Sequence, residues 1–158
     1  MNSKPSVLFV CLGNICRSPL AEAAFRKVAA ANGLMVDADW AGTAAYHIGR
    51  APDPRGIAAA ARYGIDIGHY RARQIAREDY MRFTHIYALD ETNMSDIQRR
   101  APTGTTANIA LLMDVVEGRE GEPVGDPYYG DEAGFEVTWR DVHEAAEALV
   151  EQLLADRP

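Results

Sequence analysis

Only two cysteines occur in the 158 residues, Cys11 and Cys16. They provide no disulfide framework and too few ligands for a structural zinc or iron–sulfur site, and they fit a reducing compartment. No stretch approaches the roughly 20 apolar residues of a membrane span, and Met1 to Ser6 lack the apolar region of a signal peptide. No membrane partner and a cytoplasmic location are therefore expected. Basic charge is scarce, with 16 Lys and Arg against 23 Asp and Glu and a formal net charge of −7. Nucleic acid is not expected as a partner, because binding a phosphate backbone normally needs a basic surface. His47, His85 and His143 show no metal-ligand spacing and read as ordinary surface or core histidines, so no metal is expected.

What is present is concentrated near the amino terminus. The apolar run Val7-Leu8-Phe9-Val10 delivers Cys11, five residues, and then Arg17-Ser18-Pro19. The run predicts a buried strand and the alanine-rich stretch after Pro19 a helix, which makes residues 11–18 a strand-to-helix turn. Such turns aim backbone N–H groups at anions. Arg17 adds a planar fork suited to two phosphate oxygens. A nucleophilic cysteine must be a thiolate, a form favoured by nearby positive charge or a helix amino terminus. Gly13 and Asn14 tolerate the left-handed backbone of a tight loop. Ser18 has two readings. It caps a helix that begins at Pro19, or its hydroxyl donates to the Cys11 sulfur.

Strand-like and helix-like segments alternate along the chain. Strands are predicted at residues 6–10, 35–41, 84–89 and 108–113, and helices at 19–31, 54–63, 73–80, 91–99 and from 132 onward. Asp53-Pro54 reads as a helix cap followed by the first helical residue. Val142, Ala146, Leu149 and Leu153 share one face of the last helix. The pattern predicts a single domain over residues 1–158, an α/β fold with a parallel sheet covered on both faces and the anion loop after strand 1. Ligands of such sheets sit beyond the carboxyl ends of the strands, where Cys11 lies.

The chain resembles the low-molecular-weight protein tyrosine phosphatases. Their signature is matched by Cys11-Leu12-Gly13-Asn14-Ile15-Cys16-Arg17-Ser18 and by Asp126-Pro127-Tyr128-Tyr129-Gly130, with Gly49 to Arg55 and Ala72-Arg73-Gln74 between them. The resemblance covers nearly the whole chain. It implies a three-layer α/β/α fold with a four-stranded parallel sheet, no cofactor, and hydrolysis of phosphotyrosine through a phosphocysteine on Cys11. Arg17 and the loop from Leu12 through Gly13, Asn14, Ile15 and Cys16 to Ser18 would bind phosphate, and Asp126 would be the general acid, then base. Tyr46, Tyr128 and Tyr129 are expected to wall a slot for an aryl ester, against the alternative of plain packing. Asp90 either orients Arg17 or caps the following helix. Expected partners are a phosphotyrosine protein, a tyrosine kinase among the candidates, and the chain is expected to be a monomer or weak dimer.

Rivals exist for several roles. Asp53 also precedes a proline, but a helix cap suits it better than acid catalysis. Where the family commonly has a loop-supporting histidine, four residues before Gln74, this chain has Tyr70, and His69 is one residue earlier. Cys16 is either a small apolar residue or a thiol that traps oxidised Cys11 as a disulfide. Two other functions compete: an arsenate reductase of similar fold, which would need relay cysteines that do not follow Cys16, and a non-catalytic phosphotyrosine-binding module, in which the nucleophile or acid would be lost.

Overall fold

Ser6 to Cys11 is buried along its whole length and forms strand β1 (Ser6–Cys11) in a computed structural model that describes residues 4–128 and 130–156. Successive side chains of a strand point to opposite faces, so a strand this apolar must be covered on both. Val7, Phe9 and Cys11 belong to one core, and Leu8 and Val10 to a second. Strands β2 (Asp37–Gly42) and β3 (His85–Ala88) pair with β1 in parallel on either side, and β4 (Asn108–Leu111) pairs in parallel with β3. The order is β2-β1-β3-β4.

Helices α1 (Arg17–Ala31), α2 (Pro54–Arg62) and α5 (Glu132–Ala155) fill the first core, with Phe25, Ala59 and Trp139 fully or almost fully buried. Helices α3 (Asp79–Arg82) and α4 (Glu91–Arg100) cover the other face through Tyr80 and Ile97. The expected three-layer α/β/α fold with four parallel strands is what forms. The Val142, Ala146, Leu149 and Leu153 stripe is buried in the core that α5 shares with α1. No helix among the described residues is long and apolar enough to cross a membrane.

Three local expectations are corrected. The first helix begins at Arg17 rather than Pro19, with Cys16 at its N-cap and no side-chain cap there. Residues 73–75 are extended rather than helical: Gly42 N–H donates to Arg73 C=O and Ile75 N–H to Gly42 C=O, both at 2.8 Å. The end of edge strand β2 offers unpaired peptide groups, and pairing with them outcompetes the helical pattern, which survives only in α3. Strand β4 stops at Leu111, and Leu112–Val115 is a 3-10 turn. Elsewhere the local chemistry decides: Asp53 accepts from Arg55 N–H ahead of Pro54 at the start of α2, and Asp131 accepts from Gly134 N–H at the start of α5.

The chain leaves β1 towards β2 and returns to β3 on its other side, so the carboxyl ends of β1 and β3 flank the crevice of a topological switch point. The core beneath that crevice is testable. Phe25 is fully buried, with its ring 5.6 Å from Phe9. Phe25→Ala should cost about 3–5 kcal/mol, read as a lower urea midpoint with an unchanged slope.

Candidate active site

Between Cys11 and Arg17 the chain must turn from strand to helix in five residues. Asn14 takes the strained position, with φ of 63°, the only left-handed non-glycine among the described residues. Its side chain locks the turn: Oδ1 accepts from Arg73 N–H at 2.8 Å, and Nδ2 donates to Ser18 Oγ at 2.7 Å. Because Ser18 Oγ accepts from Asn14, its proton is free to point at Cys11 Sγ, 3.1 Å away. Asn14 N–H supplies a second donor to that sulfur at 3.3 Å. Of the two readings of Ser18, the geometry selects the bond to sulfur. Among the described residues, the N–H groups of Gly13, Ile15 and Cys16 have no hydrogen-bond acceptor, so this loop keeps donors for an anion.

Arg17 is the first helical residue, and its side chain is only 3% exposed. Nη1 donates to Asp90 Oδ2 at 2.7 Å and to Val124 C=O at 2.9 Å. Nη2 lies 3.7 Å from Asp126 Oδ2. Burial works against the guanidinium charge, but the Cys11 sulfur, Asp90 and Asp126 outweigh it and hold Arg17 above the ordinary arginine value. Asp90 fills both roles left open for it, since its other oxygen accepts from Asn93 N–H at 2.7 Å and caps α4. Asp126 folds back on its own segment, accepting from Tyr128 N–H at 3.0 Å.

Cys11, Leu12, Gly13, Ile15, Cys16, Arg17, Tyr46, His47, Asp126 and Tyr128 line one cavity of about 310 Å³. Of the expected site residues, Cys11, Leu12, Gly13, Ile15, Cys16, Arg17, Tyr46, Asp126 and Tyr128 thus meet around one cavity, Asn14 and Ser18 do not line it, and Tyr129 lies outside the described residues. Sequence reasoning missed His47, which it read as an ordinary histidine. Its ring neighbours those of both Tyr46 and Tyr128, with centroids 6.2 and 6.3 Å away. A Cβ on Gly13 would meet His47 Cδ2 at 2.7 Å, so the glycine is what admits the ring. Only that contact across the fold reveals it.

The rivals separate. Asp53 caps α2 and pairs with Arg55, whose hydrogen bond outweighs burial and holds the Asp53 carboxyl below the ordinary range. It does not line the cavity. Burial pushes the Cys16 thiol well above the ordinary value, with the Cys11 charge adding to it. Both cysteines are free and buried. His69 is exposed and packs edge-on against Tyr70. Tyr70 stacks on Trp40 with centroids 4.0 Å apart and donates its hydroxyl to Glu22 Oε1 at 2.5 Å. Neither residue hydrogen-bonds the loop directly. Arg73 N–H gives that support directly, on Asn14, and Gln74 Nε2 gives it through Thr43, donating to its C=O at 3.0 Å while Thr43 N–H donates to Cys11 C=O. Among the described residues no group of three His, Cys, Asp or Glu is placed to hold a metal ion.

Comparison with known proteins agrees with this geometry. A family model described as "Low molecular weight phosphotyrosine protein phosphatase" matches residues 6–158. A human protein of that name is 39% identical over 150 residues, covering 93% of this chain and 94% of the relative. The structure of YfkJ from Bacillus subtilis superposes with a TM-score of 0.91 at 38% identity, covering 99% of each chain. The YwlE arginine phosphatase of the same organism, in a mutant with a phosphorylated active-site serine, gives 0.87 at 27% identity, with 96% of this chain and 97% of that one covered.

The Tyr70–Glu22 bond can be tested through stability. Glu22 is fully buried and also bonded to Arg26; burial raises its carboxyl, and the Arg26 and Tyr70 donors oppose that rise. A carboxyl raised by folding gives its full stability below the unfolded value of about 4.3 and loses it as pH climbs. Removing the Tyr70 hydroxyl raises it further. Tyr70→Phe should therefore destabilise by about 1–3 kcal/mol, and denaturant titrations should show the deficit growing between about pH 4 and pH 7.

Proposed function

From the premise that the chain belongs to the low molecular weight phosphotyrosine protein phosphatase family, we propose that it hydrolyses phosphotyrosine in proteins through a phosphocysteine on Cys11. One observation carries the reading: a cysteine sulfur with two donors, a buried arginine and an aspartate at its rim line one cavity with aromatic walls. The Cys11 thiolate attacks phosphorus while Arg17 and the N–H groups of Gly13, Ile15 and Cys16 hold the equatorial oxygens. The bond from phosphorus to the aryl oxygen breaks, and Asp126 gives that oxygen its proton. Water then attacks the phosphocysteine, passing its proton to the Asp126 carboxylate. The S–P bond breaks, releasing phosphate and restoring the thiolate. Ser18 and Asn14 N–H face the sulfur as it leaves, and Asp90 keeps the Arg17 fork in the plane it needs.

The walls favour an aryl ester. Tyr46, at 72% exposed, and Tyr128, at 37%, line the cavity together with His47 and Ile15. A phenyl ring on a deep-set phosphate has flat faces for such walls, whereas the shorter phosphoserine would not lift its backbone clear of them. A phosphorylated guanidinium would instead want several in-plane acceptors, and among the described residues Asp126 is the one carboxylate lining the cavity. The reductase alternative still lacks relay cysteines after Cys16, and a binding module would have no use for both Cys11 and Asp126. The same reading carries a cytoplasmic phosphotyrosine protein as partner, a tyrosine kinase among the candidates, and a chain that acts as a monomer or weak dimer.

Cys11→Ser should abolish turnover of phenyl phosphate and phosphotyrosine peptides, and a chelator should leave the unaltered chain's rate unchanged. Full activity in Cys11→Ser refutes the nucleophile. Asp126→Asn should lower the rate by about 10²- to 10⁴-fold while inhibition by inorganic phosphate persists. A phosphoarginine peptide turned over faster than a phosphotyrosine peptide would overturn the substrate assignment.

A further inference from the structure

The phosphate loop and the acid segment lie more than a hundred residues apart in sequence, and one side chain outside the cavity lining ties them together. Arg55, in the first turn of α2, donates from Nη2 to Tyr128 C=O at 2.7 Å and from Nη1 to Gly130 C=O at 2.6 Å. Its Nε and Nη2 also meet the Asp53 carboxylate at 3.0 and 2.8 Å. Asp53 N–H in turn donates to Ile15 C=O at 2.9 Å, inside the phosphate loop. An unbroken series of hydrogen bonds thus runs from that loop, through Asp53 and Arg55, to the backbone just after Asp126. The guanidinium carbon also sits 4.7 Å over the Phe135 ring, which limits its swing.

The acid segment is anchored on both sides. Upstream, Val124 N–H donates to Leu89 C=O at 2.8 Å, and Arg17 holds Val124 C=O. Downstream, the turn is short-range: Tyr128 N–H bonds Asp126 Oδ1, and Gly130 N–H bonds Pro127 C=O. Those bonds shape the turn without fixing its height over the sulfur. Arg55 reaches it from 73 and 75 positions away in sequence, at two carbonyls that converge on one planar fork.

We propose that Arg55 is a positioning residue for proton transfer, a clamp that holds Asp126 at the height where its proton meets the leaving oxygen. Asp53 orients the clamp and registers it to the phosphate loop. A displacement of about 1 Å in such a geometry is worth about 10²-fold in rate. Lysine keeps the charge but cannot hold two carbonyls and a carboxylate in one plane.

The proposal rests on Asp126 as the proton donor, and its test separates the two ideas. The measured quantity is kcat/KM, which reports steps up to leaving-group expulsion, for phenyl phosphate, whose leaving group needs a proton, and for p-nitrophenyl phosphate, whose leaving group scarcely does. Arg55→Met and Arg55→Lys should each lose about tenfold or more on phenyl phosphate and less than about threefold on p-nitrophenyl phosphate. Inhibition by inorganic phosphate should stay unchanged. In an Asp126→Asn background, Arg55→Met should add little further loss, because the two act through one step. Equal losses on both esters, full additivity with Asp126→Asn, or no loss at all overturns the clamp. Should Arg55→Met fail to fold, Arg55→Lys gives the same ratio. If Asp126→Asn itself fails to discriminate between the esters, the acid assignment falls; if it discriminates and the Arg55 variants do not, the clamp alone falls.

Discussion

A guanidinium taken almost wholly out of water is the constraint around which the rest is arranged. Arg17 has to find negative partners at short range or lose more in desolvation than any helix start returns. Asp90, just beyond β3, and the Val124 carbonyl and Asp126 of one distant loop provide them. Satisfying one cation thereby draws the carboxyl edges of two strands and a distant loop to a single point. The same requirement leaves the fork turned towards the Cys11 loop, where an anion adds one more partner. Structural compensation and substrate attraction are, at this residue, the same electrostatic fact.

The nucleophile's surroundings depend on direction as much as on charge. Asn14 is held by Arg73, Ser18 is held by Asn14, and only then does the Ser18 proton face sulfur. Each donor is committed before substrate arrives, so little reorganisation remains for the reaction itself. The extended run at residues 73–75 matters for this reason. Its pairing with Gly42 sets the Arg73 N–H where Asn14 needs it.

Much of this was legible in the chain because it is local. The Val7 to Val10 run, Gly13-Asn14 and the Asp53-Pro54 cap each carry their structure within a few residues, and the motif from Cys11 to Ser18 carries its chemistry. What escaped is non-local. The 73–80 pattern is periodic enough for a helix, yet a strand edge from another part of the fold claims its first residues. His47 enters the cavity only because Gly13, far away in sequence, has no Cβ. Tyr70 stands where the family's histidine was expected, but its hydroxyl serves a buried glutamate on α1 instead of the loop. Arg55 appeared only as one member of a matched segment, because its partners are backbone carbonyls that no side-chain pattern encodes.

The chain has two tryptophans, and their placement makes it its own optical reporter. Trp139 is sealed in the main core beside Tyr63, an apolar setting that shifts emission to shorter wavelength. Trp40 is half-buried, lies flat on Tyr70 and donates its indole N–H to Arg71 C=O at 2.9 Å. One fluorophore thus registers the integrity of the core, while the other looks onto the segment that braces the phosphate loop. Intrinsic fluorescence can follow the two regions in one sample without a label.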